Sequence, residues 1–353
     1  MENIIKQPKW QEVKYTRNQI INAGKIIRQE NSSMEEQRHA VEVIDNWREA
    51  HAFPLHVIYM HLRRMVEKDS SVIVAERLKR LESIISKLIR ERSMNLWTMQ
   101  DLGGCRVIVN SIDDVYNYSI AYEKSKKRHI QKKVYDYIKQ PKLSGYRSLH
   151  VVYEYHSDRS EKYNRNMLIE IQYRTHLQHL WATSVETMGL FRKEAIKSGQ
   201  GSEEVKRFFV LVSALFAYKE NQPLPPNVSQ KINEVIYEIK LLNNRNKYLE
   251  FLSGIRVAVD KQAQNMYKSK SKSSGYFILI LNYVSRRLRI IPFLSNQIEK
   301  ATFVYNSIEK TRNSDSEDAV LVRVSSVKKL KSAYPNYFSD IGEFIHIVKS
   351  YLN

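Results

Sequence analysis

A seven-residue stretch, 169–175, alternates between apolar and polar side chains, which is the pattern of a β-strand with one buried face. The polar face carries an acid, an amide and a guanidinium: Glu170, Gln172 and Arg174. The apolar face carries Ile169, Ile171 and Tyr173. An ordinary surface strand could have this pattern, but the loop that precedes it in the chain favours the floor of a charged cleft.

That loop lies within residues 136–150, Asp-Tyr-Ile-Lys-Gln-Pro-Lys-Leu-Ser-Gly-Tyr-Arg-Ser-Leu-His. Pro141 and Gly145 interrupt regular structure. Three basic residues give the loop positive charge: Lys139, Lys142 and Arg147. Tyr146 follows the flexible Gly145, where its ring could reach out and stack on a base. From Ser148 the pattern becomes a second strand, so loop and strands together predict a charged cleft with an aromatic side chain.

Charge and composition narrow the class of partner. The 353-residue chain has a formal net charge of +19 and a pI of about 9.7, which indicates nucleic acid, nucleotides or an anionic membrane surface. The longest apolar run, Tyr276 to Val284, is too short to span a bilayer, and the N-terminal residues do not have the composition of a signal peptide. Cys105 is the single cysteine, which excludes an internal disulfide and a cysteine-based zinc site. We therefore predict a cytoplasmic protein without zinc.

The stretch 74–90 has apolar side chains at helical spacing, so we predict a single helix over its whole length. Its apolar positions are Leu81, Ile84, Ile85 and Leu88, and its basic and hydroxyl positions include Arg77, Lys79, Arg80, Ser83 and Lys87. Such basic residues are usual on a solvated helix face. Asp101 stands beside two glycines at the start of a core strand over 105–109. It is a plausible magnesium ligand and could equally be a turn residue.

The densest cluster of basic residues follows a helix that we predict over 111–122, opened by a Ser-x-x-Asp cap. The cluster spans 124–133 and includes Lys126, Lys127 and Arg128. It suits the phosphates of an extended polyanion better than those of a single nucleotide. A solvated charged loop explains the cluster as well.

A long helix predicted from Thr175 to about Lys193 carries polar side chains on one face. They are His176, His179, Thr183 and Glu186. Two histidines and a glutamate at helical spacing suggest a metal site, but no further ligand candidate stands nearby in the sequence. We therefore predict a polar helix that lines the cleft.

Five segments, in this order, resemble the synthetase domain of the RelA/SpoT family. They are Arg77-x-Lys79…Ser83…Lys87, Asp101–Val109, Asp136–His150, Glu170–Thr175 and Gln178-His-x-Trp-Ala182. The resemblance implies an α+β fold in which a mixed β-sheet of the nucleotidyltransferase-like type is flanked by helices. It also implies transfer of a pyrophosphate group from ATP to a ribose 3′-hydroxyl, with release of AMP.

The resemblance also implies roles for individual residues. Asp101, Glu170 and Tyr146 are the implied catalytic residues. Asp101 and Glu170 would bind Mg²⁺, Glu170 would draw the proton from the acceptor hydroxyl, and Tyr146 would stack on the acceptor base. The implied ATP-binding residues are Arg77, Lys79, Ser83, Lys87 and Arg106. The implied acceptor-binding residues are Tyr146, Arg147, His150, Gln172, Arg174, Lys126, Lys127 and Arg128.

Two departures from the family pattern bear on the acceptor. The sequence has no His-Asp pair of the family's hydrolase type, so we predict synthesis without degradation. The segment Lys133-Val-Tyr-Asp136 differs from the Arg-x-Lys-Asp or Glu-x-Asp-Asp of the long enzymes, and with the basic cluster it resembles the toxic small alarmone synthetases. That resemblance implies the 3′ end of tRNA as acceptor. The alternatives are a small synthetase that makes (p)ppGpp or an adenosine-based alarmone, and an inactive regulator that binds RNA or a partner.

Residues 261–275 include the flexible basic sequence Lys268-Ser-Lys-Ser-Lys-Ser-Ser-Gly275, so we predict one domain over 1–260 and a smaller α/β one over 276–353. The tail contains Tyr334 and Tyr337, which on general grounds are packing residues. This Tyr-x-x-Tyr pattern resembles the CapRel type of fused toxin–antitoxin. The resemblance implies a zinc-free module, similar in shape to a zinc finger, that covers the ATP site until a phage major capsid protein binds it. We expect a monomer.

Overall fold

The computed structural model describes residues 10–192, 202–255, 258–259, 275–312, 316–324, 327–338 and 341–353. Three helices open the described chain: α1 (Arg17–Ile26), α2 (Met34–Ala50) and α3 (Ala52–Met65). A capping box begins each of the first two helices. The hydroxyls of Thr16 and Ser33 accept hydrogen bonds from the backbone N–H groups of Gln19 and Glu36, and the side chains of Gln19 and Glu36 accept from the backbone N–H groups of Thr16 and Ser33.

The central part of the chain alternates strands and helices. Its elements are β1 (Ile73–Leu78), α4 (Leu81–Arg90), β2 (Gly103–Val109), α5 (Ile112–Lys124), β3 (Ile130–Asp136), β4 (Leu149–Glu154), β5 (Leu168–Thr175) and α6 (His176–Arg192). Three helices follow: α7 (Glu203–Lys219), α8 (Ile232–Asn246) and α9 (Tyr248–Gly254). The C-terminal part comprises β6 (Ala258–Val259), β7 (Gly275–Asn282), β8 (Arg287–Leu294), α10 (Ile298–Thr311), β9 (Glu317–Val324), α11 (Val327–Ala333), α12 (Pro335–Phe338) and α13 (Gly342–Leu352).

The strands of the described residues form one nine-stranded sheet in the order β3-β4-β5-β2-β1-β9-β7-β8-β6. The β2–β5 and β6–β8 pairs are parallel and the other pairs are antiparallel. The sheet is therefore mixed and flanked by helices, which confirms the predicted α+β class. No helix in the described part of the chain is both long and apolar enough to cross a bilayer.

The two faces of strand β5 have the characters that the sequence predicts. Ile169, Ile171 and Tyr173 are buried in a core that also contains side chains of α3 and α5. The opposite face presents Glu170, Gln172 and Arg174, whose side chains are joined by hydrogen bonds. Because strand side chains alternate between faces, the burial of one set fixes the other set on the opposite face of the sheet.

The single helix predicted over 74–90 is wrong in its first part, because Ile73–Leu78 is strand β1 and helix α4 begins at Leu81. In β1, Arg77 lies opposite Gly104 of β2 on one side and Val322 of β9 on the other. Ile73 and Val74 are β-branched, which suits a strand, but the pairing partners are distant in sequence and invisible to a local pattern. Helix α4 keeps the predicted apolar stripe.

The C-terminal strands continue the sheet of the central part, because β9 pairs with β1. Helices α11 and α12 pack on one face of this half of the sheet, and α10 packs on the other. Helix α13 packs on the helical cluster that includes α7 and α8. The predicted linker over 261–275 lies outside the described residues except for Gly275, and the boundary between 1–260 and 276–353 stays a prediction.

Candidate active site

A cleft of about 1750 Å³ opens on the polar face of β5, with α4 on one side and α6 and α7 on the other. Many of the predicted site residues line it: Arg77, Lys79, Ser83, Lys87, Asp101, Tyr146, His150, Glu170, Gln172 and Tyr337. The fold therefore brings segments that are far apart in sequence to one cavity.

A chain of hydrogen bonds runs across the floor of the cleft from a tyrosine to an arginine. The hydroxyl of Tyr146 lies 2.8 Å from His150 Nε2, and His150 Nδ1 lies 2.8 Å from Glu170 Oε1. Gln172 Nε2 donates to Glu170 Oε2 at 2.6 Å, and Arg174 Nη2 donates to Gln172 Oε1 at 2.5 Å. Both carboxylate oxygens of Glu170 are thus held in defined positions.

The charges of Glu170 and His150 depend on each other. Burial acts to raise the pKa of Glu170, but the charge and hydrogen bond of His150 outweigh it and lower that pKa below its usual value. Burial acts to lower the pKa of His150, but Tyr146 and Glu170 outweigh it and raise that pKa to about 9. At neutral pH the pair is an imidazolium and a carboxylate, so Glu170 is available to accept a proton.

Gly145 determines where Tyr146 lies. Its φ of +83° is in the left-handed region, and an added Cβ would meet Ser213 Cβ at 3.0 Å and Val210 Cα at 3.1 Å. The turn places the ring of Tyr146 against the cleft wall, where the residue is 7% exposed. Tyr146 therefore presents a held ring at the cleft surface and not a freely projecting one.

Asp101 is the second carboxylate of the cleft. Lys79 Nζ lies 2.7 Å from its Oδ2 and Lys87 Nζ lies 3.1 Å from its Oδ1. Burial acts to raise the pKa of Asp101, but the two ammonium groups outweigh it and lower that pKa to about 2. Asp101 is therefore ionised. The two lysines to which the resemblance assigns phosphate binding form ion pairs with it in this structure.

The residues present fit a magnesium ion bound together with a polyphosphate. Glu170 is buried and Asp101 is partly exposed in the cleft, and the two carboxylates interact electrostatically with each other. Mg²⁺ is usually bound by one or two carboxylates together with substrate phosphates. No group of three or more metal-binding side chains occurs within the described ranges, so a cage built from protein ligands alone is not found there.

Arg106 contacts the C-terminal part of the chain directly. Its Nη1 donates to the carbonyl oxygen of Ala333 at 3.1 Å, and its guanidinium carbon lies 5.8 Å from the ring centroid of Tyr334. Burial and the charge of Arg174 lower the pKa of Arg106 to about 10. The Nε atoms of both arginines are buried without a hydrogen-bond partner among the described residues. Arg106 thus lies against the end of α11, and part of its hydrogen-bonding capacity is unused.

Tyr334 and Tyr337 are both buried at this contact, 3% and 1% exposed. The hydroxyl of Tyr334 donates to the carbonyl oxygen of Glu76 at 3.2 Å, and that of Tyr337 donates to Asp318 Oδ2 at 2.7 Å. His179 of α6 also donates, through Nε2, to the carbonyl oxygen of Ser332 at 2.8 Å. The polar face of α6 therefore receives the C-terminal helices.

Five predicted acceptor-binding residues do not line the cleft, and one of them, Arg174, is buried and donates to Gln172 as described above. Arg147 is 3% exposed, and its Nη1 donates to Glu220 Oε2 at 2.7 Å. Lys127 Nζ donates to the carbonyl oxygen of Tyr122, and Arg128 forms an exposed ion pair with Asp158. Lys126 is exposed near the start of β3, at the opposite end of that strand from the cleft. Arg147 thus neutralises a buried acid, and roles for the other four in binding an acceptor stay predictions.

Two aromatic residues of the cleft were missed by the sequence analysis. Tyr135 and Tyr137 line it, and their rings are parallel within 7° with centroids 5.9 Å apart. Lys142 Nζ lies 4.1 Å from the centroid of the Tyr137 ring. The Tyr-Asp-Tyr spacing could have indicated them, because residues two apart on a strand share a face.

Comparison with known sequences identifies the central part of the chain. The profile described as "Region found in RelA / SpoT proteins" matches residues 76–194. Residues 76–194 are therefore similar to the RelA/SpoT region. This match confirms the resemblance at the level of the synthetase domain, and the likeness to the CapRel type stays a prediction.

Curated relatives and solved structures are also similar to part of the chain. The chain has 34% identity over 113 residues with GTP pyrophosphokinase YwaC of Bacillus subtilis, and this match covers 30% of this chain and 52% of that protein. A second match has 37% identity over 126 residues with GTP pyrophosphokinase YjbM of the same organism, covering 33% and 56%. The chain spans about half the length of these relatives.

Among solved structures, small alarmone synthetase 1 from Bacillus subtilis bound to pppGpp shares 27% identity, with a TM-score of 0.40 and coverage of 48% of this chain and 90% of that one. A GTP pyrophosphokinase family protein from Streptococcus pneumoniae also shares 27% identity, with a TM-score of 0.40 and coverage of 62% and 98%.

Proposed function

We propose that the protein is an ATP-dependent pyrophosphokinase whose C-terminal part holds it inactive. The observation that carries the proposal is the convergence, in one cleft of a RelA/SpoT region, of an ionised Glu170 beside Tyr146 and an ionised Asp101 beside two lysines. Carboxylates and ammonium groups in this arrangement suit a reaction in which charge moves along a polyphosphate.

In the proposed reaction the acceptor 3′-oxygen forms a bond to the β-phosphorus of ATP, and the bond between that phosphorus and the α,β-bridging oxygen breaks. AMP leaves with the electron pair, and Glu170 takes the hydroxyl proton. Lys79 and Lys87 transfer from Asp101 to the phosphates, which frees Asp101 for a metal ion. Mg²⁺, held by Asp101 and Glu170, supplies neutralisation of the phosphate charge when it is bound.

The contacts of Arg106 support inhibition by the C-terminal part. By resemblance Arg106 binds ATP, and in the structure Ala333 and Tyr334 occupy its guanidinium. Because Tyr337 also lines the cleft beside Arg77, the donor nucleotide and helices α11 and α12 compete for the same side chains. Release of these helices would restore the anion-binding capacity of Arg106.

We propose the 3′ end of tRNA as the acceptor, so that the enzyme blocks translation. The support is the basic chain, the open cleft and the departure of the segment Lys133–Asp136 from the pattern of the long enzymes. The second candidate, a small synthetase that uses GDP or GTP, is favoured by the names of the relatives YwaC and YjbM. An inactive RNA-binding or partner-binding regulator is the third, and AMP release would exclude it.

The trigger that we propose is a phage major capsid protein that binds the C-terminal part, which would make the protein an antiphage toxin. The support is the resemblance of the Tyr-x-x-Tyr module to the CapRel type and the position of that module against the donor side of the cleft. Adding purified major capsid proteins to the full chain and measuring AMP release tests this. If no capsid protein of a panel causes AMP release from the wild-type chain, while the Tyr334→Ala variant does release AMP, the capsid trigger is contradicted and the enzymatic proposal is not.

The acceptor is tested with ATP that carries label in its β- and γ-phosphates. The full chain and its Tyr334→Ala variant are incubated with deacylated tRNA, GDP or GTP, and the labelled products are separated. Label at the tRNA 3′ end is the expected result. Label in guanosine nucleotides alone would support the second candidate.

A further inference from the structure

Tyr135 and Tyr137 form an aromatic surface beside the acceptor side of the cleft. Tyr135 lies opposite His150 across the β3–β4 ladder, so its ring is on the cleft face of an edge strand. Both tyrosines are half-buried, and their parallel rings line the cavity. Tyr135 is held in place because its hydroxyl donates to Gln100 Oε1 at 3.1 Å.

This surface continues outward from the proposed reaction centre. The ring of Tyr137 meets that of Tyr146 at a centroid distance of 6.1 Å and that of His150 at 5.3 Å. Tyr135 follows Tyr137 toward the exposed part of β3. Three tyrosine rings thus form successive steps from the Glu170–His150 pair to the edge of the sheet.

The ammonium group of Lys142 lies near the rings of both Tyr146 and Tyr137. Lys142 Nζ is 4.1 Å from the ring centroid of Tyr137 and 5.6 Å from that of Tyr146. Lys133 is exposed further along the same face of β3, opposite Val152. Alternating aromatic rings and ammonium groups match the alternating bases and phosphates of a single-stranded nucleic acid.

We propose that Tyr135 and Tyr137 stack on the nucleotide that precedes the acceptor nucleotide, with Lys142 on the phosphate that joins the two. This surface makes the site select the 3′ end of a single-stranded RNA over a free nucleotide, because a free nucleotide occupies only the Tyr146 step. The assignment of Tyr146 to the terminal base rests on the proposed function.

The experiment measures binding to the full chain, which needs no turnover. A short fluorescent RNA ending in CCA is displaced by unlabelled adenosine, CpA and CpCpA. The same series is run with the variants Tyr135→Leu and Tyr135→Phe. Tyr237→Leu, on the exposed face of α8, is the matched control. For the wild-type chain we expect affinity to rise about tenfold from adenosine to CpA. Tyr135→Leu removes that rise and leaves adenosine binding within about twofold, whereas Tyr135→Phe and Tyr237→Leu retain the rise.

The proposal is overturned if CpA binds no more tightly than adenosine, or if Tyr135→Leu keeps the rise. Equal weakening of adenosine and CpA would also overturn it, because that result indicates a disturbed cleft and not a second step. Failure of the proposed function would give a different result. If RNA binding depends on Tyr135 but no labelled product forms from ATP under any condition, the pyrophosphokinase activity is contradicted and the RNA-binding site is retained.

Discussion

Glu170 gives the cleft its proposed base, and its neighbours control that base. His150 and Gln172 each donate to one of its carboxylate oxygens, so the group is fixed and negatively charged even though it is buried. An imidazolium beside the carboxylate stabilises that charge and at the same time makes the carboxylate a weaker base. The residue is therefore well positioned for an acceptor hydroxyl that has been polarised by its surroundings.

Replacing Glu170 by Gln removes the proton acceptor while the side chain keeps its size. We expect AMP release, measured in the Tyr334→Ala background, to fall at least about 100-fold, because general base catalysis contributes that much or more. Glu299→Gln, on an exposed position of α10, is the matched control and is expected to change nothing. Full activity in a folded Glu170→Gln protein would show that another group takes the proton.

The charge of His150 predicts a pH dependence of stability. Its pKa is about 9 in the folded chain against 6.5 ordinarily, so the folded state binds more protons between these values. The stabilisation is complete below pH 6.5 and is lost as the pH rises through about 9. Relative to a His150→Gln variant, the wild-type free energy of unfolding should therefore decrease by about 3 kcal/mol between pH 6.5 and 9.5. Denaturant unfolding at several pH values measures this, and a constant difference would contradict the imidazolium–carboxylate pair.

At the scale of elements, the proposed inhibition rests on the position of α11 and α12 against the donor side of the cleft. They contribute buried side chains to the core over β1, β9 and β7, and their backbone and rings contact Arg106. Helix α13 packs elsewhere, with Phe344 against Phe209 and Phe216 of α7. The C-terminal part could thus release α11 and α12 while α13 stays in place.

The Tyr334→Ala change removes the ring over Arg106 and the hydrogen bond to Glu76. We expect AMP release and the affinity for a non-hydrolysable ATP analogue each to rise at least about tenfold, since loss of one such contact shifts an equilibrium by about 1.4 kcal/mol or more. Tyr334→Phe keeps the ring and should have a smaller effect. Tyr237→Ala is the control for loss of a tyrosine. A folded Tyr334→Ala protein with unchanged analogue affinity would count against inhibition by α12.

The local elements were predictable and the distant pairings were not. The alternation over 169–175 and the Ser111 cap of α5 are short-range patterns, and the structure has both. Strand β1 was missed because its partners, β2 and β9, are remote in sequence, so nothing local distinguishes it from the start of α4.

The same division between local patterns and distant contacts applies to the residues of the site. Many of the residues that line the cleft belong to motifs that the sequence displays, but Tyr135 and Tyr137 were missed. The burial of Arg147 depends on its ion pair with Glu220, 73 residues away. Lys127 likewise donates a hydrogen bond to the carbonyl oxygen of Tyr122 near the C-terminal end of α5. Such contacts require the fold to be known.

At the scale of the whole molecule, the pairing of β1 with β9 gives the C-terminal part a structural role beside the regulatory one that we propose. Arg323 of β9 lies opposite Glu76 of β1, and the two side chains approach within 4.0 Å. Removal of β9 would leave β1 as an exposed sheet edge, which favours aggregation. The central part therefore depends on the C-terminal part for a covered edge.

Truncation after residue 255 should consequently destabilise the protein and not simply activate it. We expect the midpoint of thermal unfolding to fall by more than about 5 °C and the chain to self-associate in size-exclusion chromatography. The Tyr334→Ala protein, which keeps β9, serves as the control and should stay monomeric. A monomeric truncated chain with an unchanged midpoint would show that the central part folds independently.

The most direct measurement of the central claim follows the transferred group. ATP labelled in its β- and γ-phosphates is given to the Tyr334→Ala protein with deacylated tRNA, with GDP and GTP as parallel acceptors. A pyrophosphokinase of the proposed kind releases AMP and leaves the label on the tRNA 3′ end, and the additional Glu170→Gln change abolishes both. Absence of AMP release with every acceptor, from a folded protein that binds the ATP analogue, would contradict the proposed chemistry.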